Sequence, residues 1–263
     1  MKTVHYGRLF FGAAAVLFGI IALLWHDADT WQALRRLWSL PLGTVIGNGL
    51  MIAQVLGGIA IAIPRAARAG SALLCVVYAL FALACIPGIV AHPRVFGQYD
   101  GFFEQFCLLS GALAVYAVAG ASAVRSIALA RAARIGLGLS TVSFTLAQVV
   151  YLNPTARLVP AWIPPNQMFW AIVTTIFFAL AALAILVNVR ALLAIRLLTA
   201  MLAGFGLLVW VPLLVAHGPV HGFWSEFALT VLIMGAAWVV GDAITPYAAR
   251  DYPAPAAAAA RPR

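Results

Sequence analysis

The sequence has few charged residues. Asp, Glu, Lys and Arg make up 9% of its 263 residues, whereas a soluble domain carries about 25%. Hydrophobic residues make up 65%, against about 45–50% in an average soluble chain. This composition excludes an ordinary soluble domain and an intrinsically disordered chain, because both need a larger polar fraction. It is typical of a protein that crosses a membrane several times.

Cysteine is scarce, and the common catalytic motifs are absent. The three cysteines, Cys75, Cys85 and Cys107, include no CxxC pair, so nothing indicates a thioredoxin-type site or a zinc ribbon. The sequence also has no phosphate-binding loop, dinucleotide-binding glycine fingerprint, HExxH motif or nucleophile elbow. The motifs therefore identify no catalytic residue, and they do not decide whether the protein is an enzyme.

Eight long hydrophobic runs account for most of the chain. Each approaches the ~20 residues that a helix needs to cross ~30 Å of hydrocarbon. Because the runs are continuously apolar and do not alternate with polar residues, they predict helices, in which the backbone groups are satisfied internally. We therefore predict an all-α polytopic membrane protein with spans at roughly 8–25, 42–63, 70–91, 102–121, 134–152, 168–187, 192–216 and 223–245.

Positive charge is unevenly distributed between the predicted loops. One side of the membrane receives twelve Lys and Arg residues, and the other receives only Arg35, Arg36, Arg94 and Arg157. Since cytoplasmic loops are enriched in Lys and Arg, this predicts a multi-pass inner-membrane protein with both termini in the cytoplasm. The formal net charge of +9 is then a topology signal. The expected partner is the lipid bilayer, and no nucleic-acid partner is predicted.

The second half of the sequence resembles the first. Residues 86–92 (IPGIVAH) correspond to 211–217 (VPLLVAH), and residues 101–106 (GFFEQF) correspond to 222–227 (GFWSEF). Because each half has four spans, both halves enter the membrane in the same orientation, as two parallel four-helix repeats. The predicted units are 1–122 and 123–247, followed by a disordered cytoplasmic tail at 248–263.

The repeated unit has a characteristic order of elements. An Arg- and Gly-containing helix is followed by a Trp/Pro segment, a small-residue helix, a helix ending in Pro…His, and a helix opening with aromatic residues and Glu. This unit, above all LVPAWIPPNQMFWAIVTTIFFALAALAIL at 158–186, resembles the DoxX-like family of bacterial integral membrane proteins. The resemblance implies a four-helix unit, here in tandem, and a link to a terminal oxidase, a thiosulfate:quinone oxidoreductase or an oxidative-stress complex. It brings no set of catalytic residues with it.

Ionisable and aromatic residues gather at the predicted outer ends of the spans. Ionisable residues at a membrane boundary are costly and often functional. Together these residues define a candidate outward-facing pocket, formed by His92, His217, Glu104, Glu226, His26, His221, Trp38 and Trp162. The alternative roles are structural: a Glu in the first helical turn complements the helix dipole, Trp forms the aromatic belt, and His caps helix ends.

A metal site and a thiol pair are two further interpretations of these residues. Imidazole and carboxylate suit Zn, Cu or Fe, but a Gly-Pro pair separates His217 from His221, and no metal site is predicted. Cys85 and Cys107 fall at similar depth on the third and fourth spans, which makes them a candidate thiol pair. The alternative is that each acts as a small apolar residue, as buried cysteine usually does.

Few polar residues lie inside the predicted spans. They predict interhelical hydrogen bonds and are Asn48, Gln54, Gln148, Thr174 and Thr175. No predicted span has a central Asp, Lys or Arg, which counts against an ion-coupled pump.

Three functional hypotheses from different classes follow. The first is a redox-linked membrane component that interacts with a quinone and with a membrane or envelope oxidoreductase, as the DoxX-like resemblance implies. The second is a transporter or permease for a small neutral solute, which the internal duplication favours. The third is a structural or assembly subunit without chemistry of its own.

Overall fold

The computed structural model describes residues 6–25, 42–120 and 123–251, and helices form nearly all of it. No strand occurs within these ranges. A π-helical segment, Gly206–Trp210, joins α8 to α9. The α-helices are α1 (Tyr6–Trp25), α2 (Gly43–Ala62), α3 (Ala67–Ala91), α4 (Phe96–Val118), α5 (Ala123–Val150), α6 (Leu152–Leu158), α7 (Gln167–Leu186), α8 (Ala191–Phe205), α9 (Val211–His217) and α10 (His221–Asp251).

Eight stretches of the described residues are helical, long and apolar enough to cross a membrane. They are α1 to α5, α7, the continuous run from α8 through α9, and α10. The prediction of an all-α polytopic membrane protein with eight spans is confirmed.

Two helices begin earlier than hydrophobicity predicts. The fourth span was expected at 102–121, but α4 begins at Phe96 and includes Asp100, which faces a cavity. The fifth was expected at 134–152, but α5 begins at Ala123 and carries two further arginines in its first turns. Hydropathy misses such ends because the polar residues of a helix need not face lipid.

The start of α7 shows how the local sequence fixes an element. Three prolines and Asn166 precede the helix, and proline cannot donate the backbone hydrogen bonds of a helix interior. The side-chain oxygen of Asn166 accepts a hydrogen bond from the backbone N–H of Phe169 at 2.8 Å, which caps one of the free donors of the first turn.

The helix neighbours are the same in the two halves of the chain. In the first half, α1 packs on α2, α2 on α3 and α3 on α4; in the second, α5 packs on α7, α7 on α8 and α8 on α10. Between the halves, α1 packs on α10 and α5 packs on α4, while α4 and α10 pack on each other. A two-fold relation between the halves produces this pattern, with α4 and α10 at the centre. The bounds of the two units stay predictions.

The predicted tail, 248–263, falls only partly on the described residues. Helix α10 continues to Asp251 and so includes the first residues of this segment. The rest of the tail lies outside the described residues.

Small residues allow the two central helices to approach each other. A Cβ atom on Gly111 of α4 would lie 2.6 Å from the Cβ atom of Ala236 on α10. Contacts that short do not occur between real carbon atoms, so this crossing requires glycine. Close approach at small residues is a common way for membrane helices to associate.

Four of the five polar residues predicted to form interhelical hydrogen bonds do so, namely Gln54, Gln148, Thr174 and Thr175; the bond expected of Asn48 stays a prediction. The amide of Gln54 on α2 donates to the carbonyl oxygen of Ala15 on α1 at 3.0 Å. The hydroxyl groups of Thr174 and Thr175 on α7 donate to Oε1 of Gln148 on α5, at 3.2 and 2.9 Å.

The two ends of the bundle differ in charge. We call the end at which α4 and α10 begin the acidic end, because Asp100, Glu104 and Glu226 lie there. The opposite end, at which α1 and α5 begin, is the basic end, and it carries Arg8, Arg65, Arg68, Arg125, Arg131, Arg134, Arg190 and Arg196.

Candidate functional site

Three carboxylates meet at the acidic end. Asp100 and Glu104 are four residues apart on α4 and therefore share one face of that helix. Glu226 lies near the start of α10, the neighbour of α4. Glu104 is close enough to interact electrostatically with both Asp100 and Glu226, and Glu226 interacts with Asp100. We call these three residues the carboxylate cluster.

A cavity of about 790 Å³ opens beside the carboxylate cluster. It lies between the end of α3 and the starts of α4 and α10, and α1, α6 and the π-helical segment complete its wall. All three carboxylates line it, together with Cys85 and Trp210. Its volume is within the range of small-molecule sites, about 300–1,000 Å³.

A second cavity, of about 280 Å³, lies on the other side of the same carboxylates. It lies among α5, α7, α8 and α10, so it belongs mainly to the second half of the chain. Phe144, Phe178 and Phe205 contribute aromatic walls. The carboxylate cluster, Leu158 and Trp210 line both cavities. A broad space at the acidic end therefore adjoins a narrower, largely apolar space among the helices.

The amide of Gln105 is available to a ligand in the larger cavity. Gln105 follows Glu104 on α4, is 8% exposed and lines the cavity. Its Oε1 atom is buried and has no hydrogen-bond partner among the described residues. An unsatisfied polar atom in a protein interior costs about 1–3 kcal/mol, so a ligand that donates a hydrogen bond there would relieve that cost.

The carboxylate cluster is anchored from the neighbouring helices. The hydroxyl of Ser143 on α5 donates to Oδ1 of Asp100 at 3.3 Å. On the other side, Nε1 of Trp210 donates to the hydroxyl of Thr230 on α10 at 2.9 Å. The second bond fixes the indole that lines both cavities.

The walls on the two sides come from equivalent but differently shaped segments. Pro87 in α3 and Pro212 in α9 are equivalent in the repeat. In the first half the α-helix continues through the proline. In the second half the π-helical segment precedes the proline. Single π-helical turns are rare and occur often at functional sites.

The predicted histidines lie around the cavities rather than in them. His92 is the exposed cap residue of α3, and His217 ends α9 with its ring 5.1 Å from that of Phe223. Neither histidine lines either cavity. His221 begins α10, and its Nε2 atom lies 2.7 Å from the hydroxyl of Ser225, which lines the larger cavity.

The predicted tryptophans also lie away from the carboxylates or outside the described residues. Trp162 is 72% exposed and lines neither cavity. His26 and Trp38 lie outside the described residues. Of the predicted pocket, the described structure thus brings together Glu104 and Glu226, while His221 contacts Ser225, which lines the larger cavity.

Sequence reasoning left Asp100, Gln105 and Trp210 out of the candidate pocket. Two signals pointed to Asp100 and Gln105. Asp100 is one helical turn from Glu104, and the repeat aligns Gln105 with Glu226.

The three cysteines are free thiols. Cys85 lines the larger cavity, and its thiol donates to the carbonyl oxygen of Phe81 at 3.4 Å. Cys107 is fully buried on α4. Both lie near enough to Glu104 to interact with it electrostatically. The pairing of Cys85 with Cys107 stays a prediction.

The arrangement is suited to hydrogen bonding and proton exchange. Within the described residues, no group of three or more His, Cys, Asp and Glu side chains is placed to hold a metal ion. A carboxylate accepts hydrogen bonds and takes up or releases protons. The site therefore fits a molecule with a polar part that carries hydroxyl or amine donors and an apolar part for the second cavity.

The chain matches no protein-family model, no curated protein and no solved structure.

Proposed function

We propose that this protein is a quinone-interacting membrane component, and that the paired cavities at its acidic end hold the quinone or quinol. The observation that carries the proposal is the position of the carboxylate cluster between the two cavities. The polar ring would lie at the carboxylates, and the apolar cavity among α5, α7, α8 and α10 would receive its substituent.

The residues of the site fit both forms of such a ligand. A quinone carries electrons and protons together between its oxidised and reduced forms. The carboxylates of Glu104 and Glu226 accept hydrogen bonds from quinol hydroxyl groups. The side-chain amide of Gln105 accepts from a hydroxyl through Oε1 or donates to a carbonyl through Nε2.

The carboxylate cluster would exchange protons with the ligand. Glu226 is exposed, whereas Asp100 and Glu104 are half-buried, so protons would pass from the surface to the ligand by way of Glu226. A membrane or envelope oxidoreductase partner would exchange electrons with the quinone or quinol. The resemblance to the DoxX-like family, some of whose members work with such enzymes, supports this role.

The proposed setting is the bacterial inner membrane, with the acidic end facing outward. The support is the charge difference between the ends, because Arg-rich segments stay in the cytoplasm. The site would then exchange protons with the outer side of the membrane.

Calorimetric titration of the purified protein tests the proposal. The protein, in nanodiscs free of quinone, is titrated with a short-chain ubiquinol under anaerobic conditions. We expect saturable binding that Glu104→Gln weakens about tenfold, because a charge-assisted hydrogen bond contributes about 1.5–3 kcal/mol. Glu104→Gln should weaken binding of the oxidised quinone less, since the introduced side-chain amide can donate a hydrogen bond to a quinone carbonyl.

Asp242→Asn is the matched control, because Asp242 is also on α10 but lies at the basic end. It should leave quinol affinity unchanged. Absence of saturable binding, or equal loss in both variants, would contradict the proposal.

A permease is the second candidate, and the irregular walls of the site favour it. Parallel repeats and interrupted helices beside a central site are features of transporters. Here the π-helical segment lines both cavities through Trp210. Flux of a small neutral solute into proteoliposomes, abolished by Glu226→Gln, would support this function in place of quinone binding.

A further inference from the structure

A third cavity, of about 380 Å³, lies at the basic end of the bundle. It is lined by three arginines, Arg8 of α1, Arg65 of the loop after α2 and Arg68 of α3, and by one carboxylate, Asp242 of α10. Three guanidinium groups around a single carboxylate give this cavity an excess of positive charge. Val118 and other apolar residues at the end of α4 form the remaining wall.

Arg8 and its equivalent in the second half make different contacts. The repeat pairs Arg8 with Arg134. Arg134 is buried, and its guanidinium donates to the carbonyl oxygens of Ile185 and Leu186 at the end of α7. The Nε atom of Arg8, by contrast, is buried without a hydrogen-bond partner in the described parts of the chain. A buried donor without an acceptor is costly, so an acceptor from a ligand fits this position.

Of the other two arginines, Arg65 has an equivalent in the second half, Arg190, whereas Arg68 has none. Leu193 occupies the position in the second half that corresponds to Arg68. The guanidinium of Arg68 lies 5.3 Å from the centre of the Tyr116 ring and donates to its hydroxyl at 3.4 Å. This contact holds Arg68 at the edge of the cavity. The second half therefore cannot reproduce the three-arginine arrangement.

We propose that this cavity binds a phosphate group, carried either by an anionic lipid or by a free phosphate ion. Arginine is the preferred residue for phosphate because its planar group donates two parallel hydrogen bonds to the oxygens. The apolar wall at Val118, which is 49% exposed, provides a surface for the glycerol and acyl chains of a lipid. Basic pockets between helices bind lipid headgroups in this way.

The carboxylate of Asp242 reduces the net positive charge of the cavity. This carboxylate lies against α1 at Gly7, where a Cβ atom would be 2.5 Å from Oδ2 of Asp242. A carboxylate so placed repels an anion and offsets part of the attraction of the three arginines. Removing the carboxylate should therefore strengthen the binding of both a phosphodiester and a free phosphate.

Native mass spectrometry and calorimetry of the full-length protein test this site. The probes are inorganic phosphate, short-chain phosphatidylglycerol and, as a zwitterionic comparison, short-chain phosphatidylcholine. We expect saturable binding of phosphatidylglycerol, weakened about tenfold or more by Arg8→Gln and by Arg65→Gln, and strengthened by Asp242→Asn. Arg65 lies in an exposed loop, so its variant tests the site even if Arg8→Gln does not fold.

The control variant is Arg196→Gln, which removes an exposed arginine of α8 that does not line the cavity. Its affinity should stay within about twofold of that of the unaltered protein. Binding of both phosphate and phosphatidylglycerol would identify a site for the phosphate group itself, and binding of the lipid alone would identify a headgroup site. No saturable binding, or an equal loss with Arg196→Gln, would overturn the proposal.

Discussion

Glu104 is the residue on which the carboxylate cluster is centred. It interacts with Asp100 on its own helix and with Glu226 on α10, and it lines both cavities. Like charges this close repel each other, and the half-buried position of Glu104 weakens their screening. Functional residues often reduce stability in this way.

Glu104→Gln should therefore stabilise the folded protein while weakening its proposed ligand binding. We expect a gain of about 1 kcal/mol in the free energy of unfolding, because the amide keeps the shape and removes the repulsion. Asp242→Asn should instead lower the free energy of unfolding, since Asp242 lies among three arginines. Thermal unfolding of both variants in the same detergent measures the difference. A lower melting temperature for Glu104→Gln would contradict the repulsion.

Among individual residues, the sequence identified part of the site. Glu104 and Glu226 could be predicted because carboxylates near a membrane are costly. His92 and His217 were included on the same ground, but both lie outside the cavities. Position along a span indicates the depth of a residue, but not whether the side chain faces a cavity or the surface.

The helices that flank the site show how one element can differ between two related halves. Pro87 and Pro212 are equivalent, yet α3 continues as an α-helix and its counterpart contains the π-helical segment. The difference coincides with the exchange of Cys85 for Trp210 two residues before the proline. The π-helical turn places the larger indole against Thr230, to which it is hydrogen-bonded.

Pro212→Ala should alter the site without unfolding the protein. Alanine supplies the backbone N–H that proline lacks, which allows the segment to adopt a regular α-helix. Trp210 would then turn away from Thr230 and lose their hydrogen bond. We expect quinol affinity to fall about threefold to tenfold with no loss of thermal stability. Titration calorimetry and thermal unfolding measure the two effects.

Pro87→Ala is the matched control, because α3 is already helical on both sides of Pro87. It should leave quinol affinity within about twofold. If both proline variants reduced affinity equally, the π-helical segment would have no special role.

The type and approximate length of the helices could be predicted from the sequence, but the helix starts and the π-helical turn could not. Continuous hydrophobic runs identified every span. Polar residues such as Asp100 hid the true start of α4, because hydropathy does not register that they line a cavity. The π-helical turn could not be predicted from proline alone, because the equivalent Pro87 lies in a regular α-helix.

The two halves of the chain contribute differently to the two ends of the molecule. At the acidic end, α4 and α10 both contribute to one site on the central interface. At the basic end, the three arginines lie in the first half only. The repeat predicted from the sequence fits the common helix neighbours. At the basic end the halves differ at Arg68, which Leu193 replaces in the second half.

Photo-crosslinking with an azido-quinone tests most directly whether the acidic end holds a quinone between the halves. The protein is labelled in nanodiscs, digested and mapped by mass spectrometry. We expect labelled peptides from 97–105 and 220–229, which line the larger cavity, and suppression of the label by excess unlabelled quinone. Labelling spread evenly over the lipid-facing helices, unaffected by competitor, would contradict a quinone site at the carboxylate cluster.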